Sequence, residues 1–339
     1  MELRLNAPNS RMEPGPACVL SIVVPVYNED EVLPMLHRRL LAAAGLVEGG
    51  VEIVYVDDGS TDRTAQVLAQ LRLACPWVSV VRFSRNFGKE QALTAGLQLA
   101  RGDAVVLIDA DLQQPPEMIP AMVAAWRDGA DVVNMRRRDR AGEGLVRSTA
   151  ATMFYRLIGR LSDPPIPADI GDFRLLSRRA VDALNQLPER NRFMKGLFAW
   201  IGFRQTMIDF DHGDRAAGRS KWDLGSLLHL ALEGITAFSV MPLRIASYVG
   251  LASALLAFGY GLYFLVKALV LGDHVAGFPT LIVVVLMLGG LQLLAIGVIG
   301  EYLGRLCIES KRRPLFLVED YFPATEHKPV TPAMRAAVR

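Results

Sequence analysis

The run Ala104-Val105-Val106-Leu107-Ile108-Asp109-Ala110-Asp111-Leu112-Gln113 is an apolar stretch that ends abruptly in acid. An uninterrupted apolar run of this length reads as a strand buried on both faces, the mark of a parallel sheet. Open α/β sheets place their ligands at the carboxyl ends of such strands. Alternate residues of an extended segment face the same way, so Asp109 and Asp111 converge on one side. Two hard carboxylates so placed suit Mg or Mn holding a diphosphate. The plainer alternative is a strand-end turn, where Asp is common.

Outward from this run the pattern repeats. Val19 to Pro25, Val51 to Val56, Val78 to Val81 and Asp131 to Met135 are further strand-like runs, and helical patterns such as Asp62 to Leu73 and Gln91 to Ala100 fill the gaps. Strand and helix alternation predicts an α/β fold with a mostly parallel sheet covered on both faces. Beyond Met135 the chain turns irregular and basic, with a loop at Asp163-Pro164-Pro165-Ile166-Pro167, a strand within Phe173 to Leu176 and another within Gly202 to Phe210.

The chain has 339 residues and a formal net charge of +2, too small a charge to argue for nucleic acid as a partner. Its mean hydropathy of +0.26 is high for a soluble protein. The excess lies late: Ile245 to Leu271 carries Lys267 as its only charge, and Pro279 to Gly300 carries none. About 20 such residues cross a bilayer, which predicts two spans. Arg244 precedes them, Arg305, Lys311, Arg312 and Arg313 follow, and the short connection holds Asp273 and His274 without Lys or Arg. The positive-inside tendency therefore puts both ends in the cytoplasm. Met1 to Pro16 lacks the apolar centre of a signal peptide, consistent with a cytoplasmic N-terminal domain. Leu224 to Val240 reads as an amphipathic helix on the membrane surface. Cys18, Cys75 and Cys307 have neither metal-ligand nor disulfide spacing.

Three chemistry-bearing clusters end the first, second and fourth strands: Pro25-Val26-Tyr27-Asn28-Glu29, Asp57-Asp58-Gly59-Ser60-Thr61-Asp62 and the Asp109 run. In a doubly wound sheet these ends share one rim. Asp57 or Asp58 suits hydrogen bonds from a nucleobase or ribose, and Ser60 or Thr61 suits the cap of the following helix. No Gly-x-Gly-x-x-Gly follows the first strand, which disfavours a dinucleotide oxidoreductase.

These residues match a family. Val24 to Glu29, Val56 to Asp62, Arg85-Asn86-Phe87-Gly88-Lys89, Asp109 to Gln113, Gly171-Asp172-Phe173-Arg174-Leu175, Arg192 to Gly196, Gly218 to Trp222 and Gly300 to Arg305 occur in the order seen in glycosyltransferase family 2. The chain resembles its polyisoprenyl-phosphate branch, the dolichyl-phosphate mannose synthases and bacterial undecaprenyl-phosphate glucosyltransferases. The resemblance implies a GT-A-type domain, in which Pro25, Tyr27, Glu29, Asp57 and Asp109 line the nucleotide-sugar pocket. It implies that Asp109, Asp111 and Gln113 hold a Mg or Mn cation against the donor diphosphate. Asp172 matches a carboxylate near the reacting sugar, where it would hold a hydroxyl, orient the acceptor phosphate or act as base.

A lipid monophosphate has a second pKa of about 6 and is largely anionic at neutral pH, so it needs cationic guidance more than a base. Arg136, Arg147, Arg219 and Lys221 are the candidates, with Arg192 and Lys195 behind them; the alternative is that they face water or anionic headgroups. Where relatives often carry Arg and, three residues on, Ser, this chain has Ser148 and Ala151, with Arg147 one position earlier. Gln114 stands where Asp is frequent.

The expected organisation is an N-terminal extension (1–18), a cytoplasmic catalytic domain (19–222), a juxtamembrane helix (223–243), a two-span hairpin (244–306) and a cytoplasmic tail (307–339). The expected activity is inverting transfer of a hexose, from a UDP-sugar in preference to a GDP-sugar, to polyprenyl phosphate at the bacterial inner membrane, with Asp111, Asp172 and Arg147 as the catalytic set. Tetramers occur in that branch, so the resemblance extends to a homotetramer. Two rivals are a processive polysaccharide synthase, which needs more spans and a Gln-x-x-Arg-Trp-like motif, and a non-catalytic nucleotide-sugar scaffold.

Overall fold

A computed structural model describes residues 18–138, 170–190, 192–211, 241–271 and 278–325. Arg147, Ser148, Ala151, Arg219, Lys221, the expected surface helix 224–240 and the loop 163–167 lie outside the described residues.

The apolar runs form the strands they predict. These are β1 (Cys18–Val26), β2 (Gly50–Asp57), β3 (Val78–Phe83), β4 (Ala104–Leu107), β5 (Val132–Arg137), β6 (Ile170–Ser177) and β7 (Gln205–Phe210). An eighth, β8 (Val318–Phe322), was not expected. The sheet order is β7-β5-β6-β4-β1-β2-β3-β8. The pairs β1–β2, β1–β4, β2–β3 and β5–β7 are parallel. The pairs β4–β6, β5–β6 and β3–β8 are antiparallel, so the sheet is mixed around a parallel centre.

Both faces are covered. Leu20, Ile22 and Val24 of β1 pack on one side with α1 (Leu33–Ala44), α2 (Thr64–Ala74) and α4 (Ile119–Arg127). Val23, one residue out of phase, joins α3 (Lys89–Leu99), α5 (Arg178–Gln186) and α6 (Met194–Trp200) on the other. This is the period of two expected of a doubly covered strand. α3 lies so close to β1 that a Cβ on Gly96 would fall 2.1 Å from Val23 Cγ1. The expected cap of α2 by Ser60 or Thr61 is not made. Asp62 Oδ1 instead accepts from Thr64 N at 2.9 Å, while Ser60 and Thr61 turn to Asn28.

α7 (Met241–Leu271) and α8 (Phe278–Ser310) run for 31 and 33 residues and pack against one another. At 1.5 Å per residue they are about 46 and 50 Å long, beyond the roughly 30 Å of a bilayer core. Each contains a window long and apolar enough to cross a membrane. Leu256, Phe258 and Met287 are exposed rather than packed on the globular domain.

After α8 the chain returns to the sheet instead of trailing away. Phe316 stacks on the buried Phe83 ring at 4.8 Å between centroids, Ser84 N donates to Leu317 O, and β8 covers the edge of β3. Arg190 N donates to Glu309 Oε1 at the end of α8. Residues 316–322, within the stretch expected as a tail, thus strap the apolar hairpin to the globular domain.

Candidate active site

The carboxyl ends of β1, β2 and β4 share one rim, as parallel neighbours must. The loops after β1 and β2 are tied together. Asn28 N donates to Ser60 Oγ (3.0 Å), Thr61 N to Asn28 Oδ1 (2.9 Å) and Glu29 N to Thr64 Oγ1 (3.0 Å). Asn28 takes a left-handed φ of 56°, a conformation Asn tolerates better than most residues. Tyr27 is exposed on this rim, whereas Pro25 is a buried strand residue in register with Val56.

The two acids after β2 have separate tasks. Asp58 accepts from Phe87 N (2.7 Å) and Gly88 N (2.9 Å), so both its oxygens fasten the loop that leads to Lys89. Burial pushes its carboxyl pKa up in spite of those bonds. Asp57 accepts from Ser60 N through Oδ1, while its buried Oδ2 has no hydrogen-bond partner. That oxygen lies 3.8 Å from Arg82 Nε, so of the pair Asp57 is the one with an oxygen not already committed to a backbone N–H. Gly59 lets the two loops touch. Its φ is +69°, and an added Cβ would lie 2.4 Å from the Arg85 carbonyl carbon. Gly59→Ala is expected to cost about 1–3 kcal/mol through strain and loop separation, measured as a lowered thermal midpoint of the detergent-purified protein.

The register of β4 and β6 brings the distant carboxylate in. Leu107 pairs with Arg174 in this antiparallel ladder, so two residues further on Asp109 comes opposite Asp172. Lys89, the first residue of α3, fills the gap between them: its Nζ is 2.5 Å from Asp109 Oδ1 and 2.7 Å from Asp172 Oδ2. The other Asp109 oxygen is held by Gln114, whose Nε2 donates to Oδ2 (2.7 Å) while its Oε1 accepts from Asp109 N (2.8 Å). An Asp at position 114 could make the second bond but not the first, since an ionised carboxylate has no proton to donate.

Leu112 turns the chain between Asp111 and Gln113 with a φ of 61°, costly for leucine and held by burial of its side chain. Gln113 N donates to Asp111 Oδ1 at 3.1 Å.

Burial raises the Asp109 carboxyl pKa, with Lys89 opposing and Asp172 adding to the rise. Burial acts the same way on Asp172, but Lys89, Lys195 and Arg174 outweigh it and hold that carboxyl well below its ordinary value. Lys89 is correspondingly raised by the two carboxylates, against its own burial. Arg174, brought down to about 10 by burial, lies 3.8 Å above the Phe198 ring and stays charged at neutral pH. Behind it, Glu90 Oε2 accepts from Met194 N at the start of α6.

Glu90 is pushed up to about 7, chiefly by burial and then by Asp172. A carboxyl raised above its unfolded value contributes stability that is full below the unfolded pKa and lost as pH rises through the folded one. The protein should therefore lose stability between about pH 4.5 and 7 on this account, by up to about 3 kcal/mol. Glu90→Gln keeps an acceptor for Met194 N and should melt higher than the unaltered protein at pH 8, with the difference shrinking towards pH 5.

The remaining candidates are placed otherwise. Arg136 makes a two-pronged pair with Asp209 of β7, at 2.7 and 3.1 Å. Arg192 is buried and donates to the Leu187 and Glu189 carbonyls, a structural role. Lys195 is half-buried and acts on Asp172 through charge.

Among the described residues, no three carboxylate, histidine or cysteine side chains are arranged to enclose an ion. The donor chemistry nevertheless fits a hard divalent cation. A cationic group already bridges Asp109 and Asp172, Asp172 Oδ1 is buried without a hydrogen-bond partner, and Asp111 and Gln113 offer further oxygens. Such cations commonly take one or two carboxylates and complete their shell with phosphate and water.

A mixed sheet with a parallel centre, carrying an acidic rim at the carboxyl ends of its strands, is the arrangement of an α/β protein that binds its ligand at that rim. Residues 21–184 match Glycosyl transferase family 2, and residues 241–306 match the GtrB C-terminal hairpin. An uncharacterized glycosyltransferase of Synechocystis sp. is 48% identical over 301 residues, covering 89% of this chain and 95% of that protein. A bactoprenol glucosyl transferase of Shigella phage SfV is 45% identical over 89% of this chain and 98% of its own length. A prophage bactoprenol glucosyl transferase homolog of Escherichia coli is 44% identical, covering 88% and 98%. The chain belongs to glycosyltransferase family 2.

Proposed function

We propose that this transferase moves a hexose, glucose in the first instance, from a UDP-sugar to polyprenyl phosphate at the cytoplasmic face of the membrane. The observation that carries this reading is the joining of two structures in one chain: a donor site at the rim of the sheet, and an apolar hairpin strapped to that sheet by Phe316 and β8. The kinship with proteins named bactoprenol glucosyl transferases supports both the sugar and the polyprenol acceptor. Both apolar helices span, with Arg244 at one end and Lys311, Arg312 and Arg313 at the other on the cytoplasmic side. An acceptor confined to the bilayer then meets the site at raised effective concentration.

Asp57 Oδ2 reads an N–H of the base, with Tyr27 and Glu29 on the same rim. Asp109, Asp111 and the amide oxygen of Gln113 would hold Mg or Mn, whose Lewis acidity offsets the charge gathering on the leaving nucleoside diphosphate. An oxygen of the lipid phosphate attacks the anomeric carbon as the bond to the diphosphate breaks, so the configuration inverts and the electron pair leaves with the nucleotide. The anionic phosphate needs no base. Asp172, kept ionised by Lys89, Lys195 and Arg174, orients a sugar hydroxyl or the acceptor. Arg147, Arg219 and Lys221 are assigned to guiding the acceptor phosphate, and Arg136 shares that task once released from Asp209.

The test offers membranes containing the chain a panel of labelled UDP- and GDP-sugars with undecaprenyl phosphate. Chloroform-soluble, acid-labile label from UDP-glucose is expected. A long polymer, or no transfer from any donor, would sink the proposal.

A further inference from the structure

The donor site holds a positive charge of its own. Lys89 Nζ bridges Asp109 and Asp172 at 2.5 and 2.7 Å, and Gln114 occupies the remaining Asp109 oxygen. A divalent cation that takes Asp109 as a ligand must therefore displace an ammonium already paired with two carboxylates. The lysine is set up for that displacement. It is the first residue of α3, the loop before it is fastened by Asp58 to Phe87 N and Gly88 N, and its side chain is 44% exposed on a flexible stem.

We propose that Lys89 is the resident counter-ion of the metal site, an assignment that rests on the nucleotide-sugar reading above. It keeps Asp109 and Asp172 from repelling one another, and it yields Asp109 to a divalent cation only when a nucleoside diphosphate arrives too. The diphosphate brings negative charge that gives the displaced ammonium another anion. Metal and nucleotide are thereby coupled: each favours the other, and by linkage the coupling is the same from either side. Metal without donor is held weakly, and the carboxylates are not left unpaired between turnovers. Lys89 is a positioning residue in this scheme, acting through Asp109 and Asp172.

Binding of Mn2+ to the full-length, detergent-purified protein tests this, read by the loss of the free-ion electron paramagnetic resonance signal, with and without UDP or GDP. Lys89→Met and Lys89→Gln remove the charge in two side chains of different polarity, and thermal unfolding confirms that each is folded. Both should bind Mn2+ alone about tenfold more tightly than the unaltered protein, equivalent to about 1.4 kcal/mol. The factor by which nucleotide tightens Mn2+ should shrink to match. Lys89→Arg, which keeps the charge, should still bind Mn2+ alone weakly. A lysine serving only structure, or serving only to hold phosphate, predicts unchanged or weaker Mn2+ binding in the neutral variants, and that result overturns the role assigned to Lys89. If neither nucleotide moves the Mn2+ affinity of the unaltered protein, the donor reading is overturned and the role of Lys89 with it.

Discussion

Asp111→Ala is expected to lower labelled-lipid formation by a factor on the order of 10²–10³, the scale of removing one electrostatic stabiliser of a leaving group. Asp111 is the cleaner target of the two rim acids. Asp109 is bonded to both Lys89 and Gln114, so its removal would disturb a lysine, a glutamine and Asp172 together. Asp111 makes a local turn with Gln113 N and lies half-buried on the rim. Leu112, whose buried side chain holds the turn, is untouched. The stability change should therefore stay within about 1 kcal/mol. Membrane retention should also be unchanged, since α7 and α8 carry the apolar windows. Initial rates at saturating Mn2+ and Mg2+, beside alkaline extraction of the membranes, separate chemistry from insertion. Turnover at the normal rate in the metal-supplemented assay would refute the assignment of Asp111.

The parts of this site differ in how far the sequence alone exposes them, and the reasons are physical. β1 to β5 are visible because strands covered on both faces are largely apolar, as Ala104 to Leu107 and Ile53 to Val56 are, and because helical patterns separate them. Phe173 to Leu176 is visible as a strand, but its antiparallel seat beside β4 is not, because an apolar run states that a strand exists and not which neighbour it takes. That seat carries Asp172 to Asp109, so the pairing of the two acids is a product of topology. β8 has no apolar alternation: Val318-Glu319-Asp320-Tyr321-Phe322 is an exposed edge strand, and its anchor is the stacking of Phe316 on Phe83. Lys89 is legible only as the end of a motif, since its partners lie 20 and 83 positions away. Gln114 appears in the sequence as a departure of little weight. It gains a role once both oxygens of Asp109 must be given donors.

Asp172→Asn is expected to reduce transfer by about 10²-fold or more at every pH between 6 and 9, without moving the acidic limb of the profile. The substitution keeps the shape and removes the charge. Burial would raise the Asp172 carboxyl, yet Lys89, Lys195 and Arg174 hold it well below the ordinary carboxylate range, so it is ionised throughout that window. It cannot donate a proton there, and a carboxylate so stabilised is a poor base. The limb near pH 6 belongs to the second ionisation of the lipid phosphate, which the variant leaves in place. An acidic limb that vanishes in the variant would instead make Asp172 the titrating base. Stability supplies an independent check. A carboxyl whose folded pKa is depressed contributes stability that is present above its unfolded value of about 3.9 and is lost as pH falls through the folded one. The variant should therefore melt lower than the unaltered protein at pH 7, and the gap should close on acidification below about pH 4. Lys89 keeps Asp109 as a partner in the variant, so the fold survives and the loss of rate reports the charge at position 172.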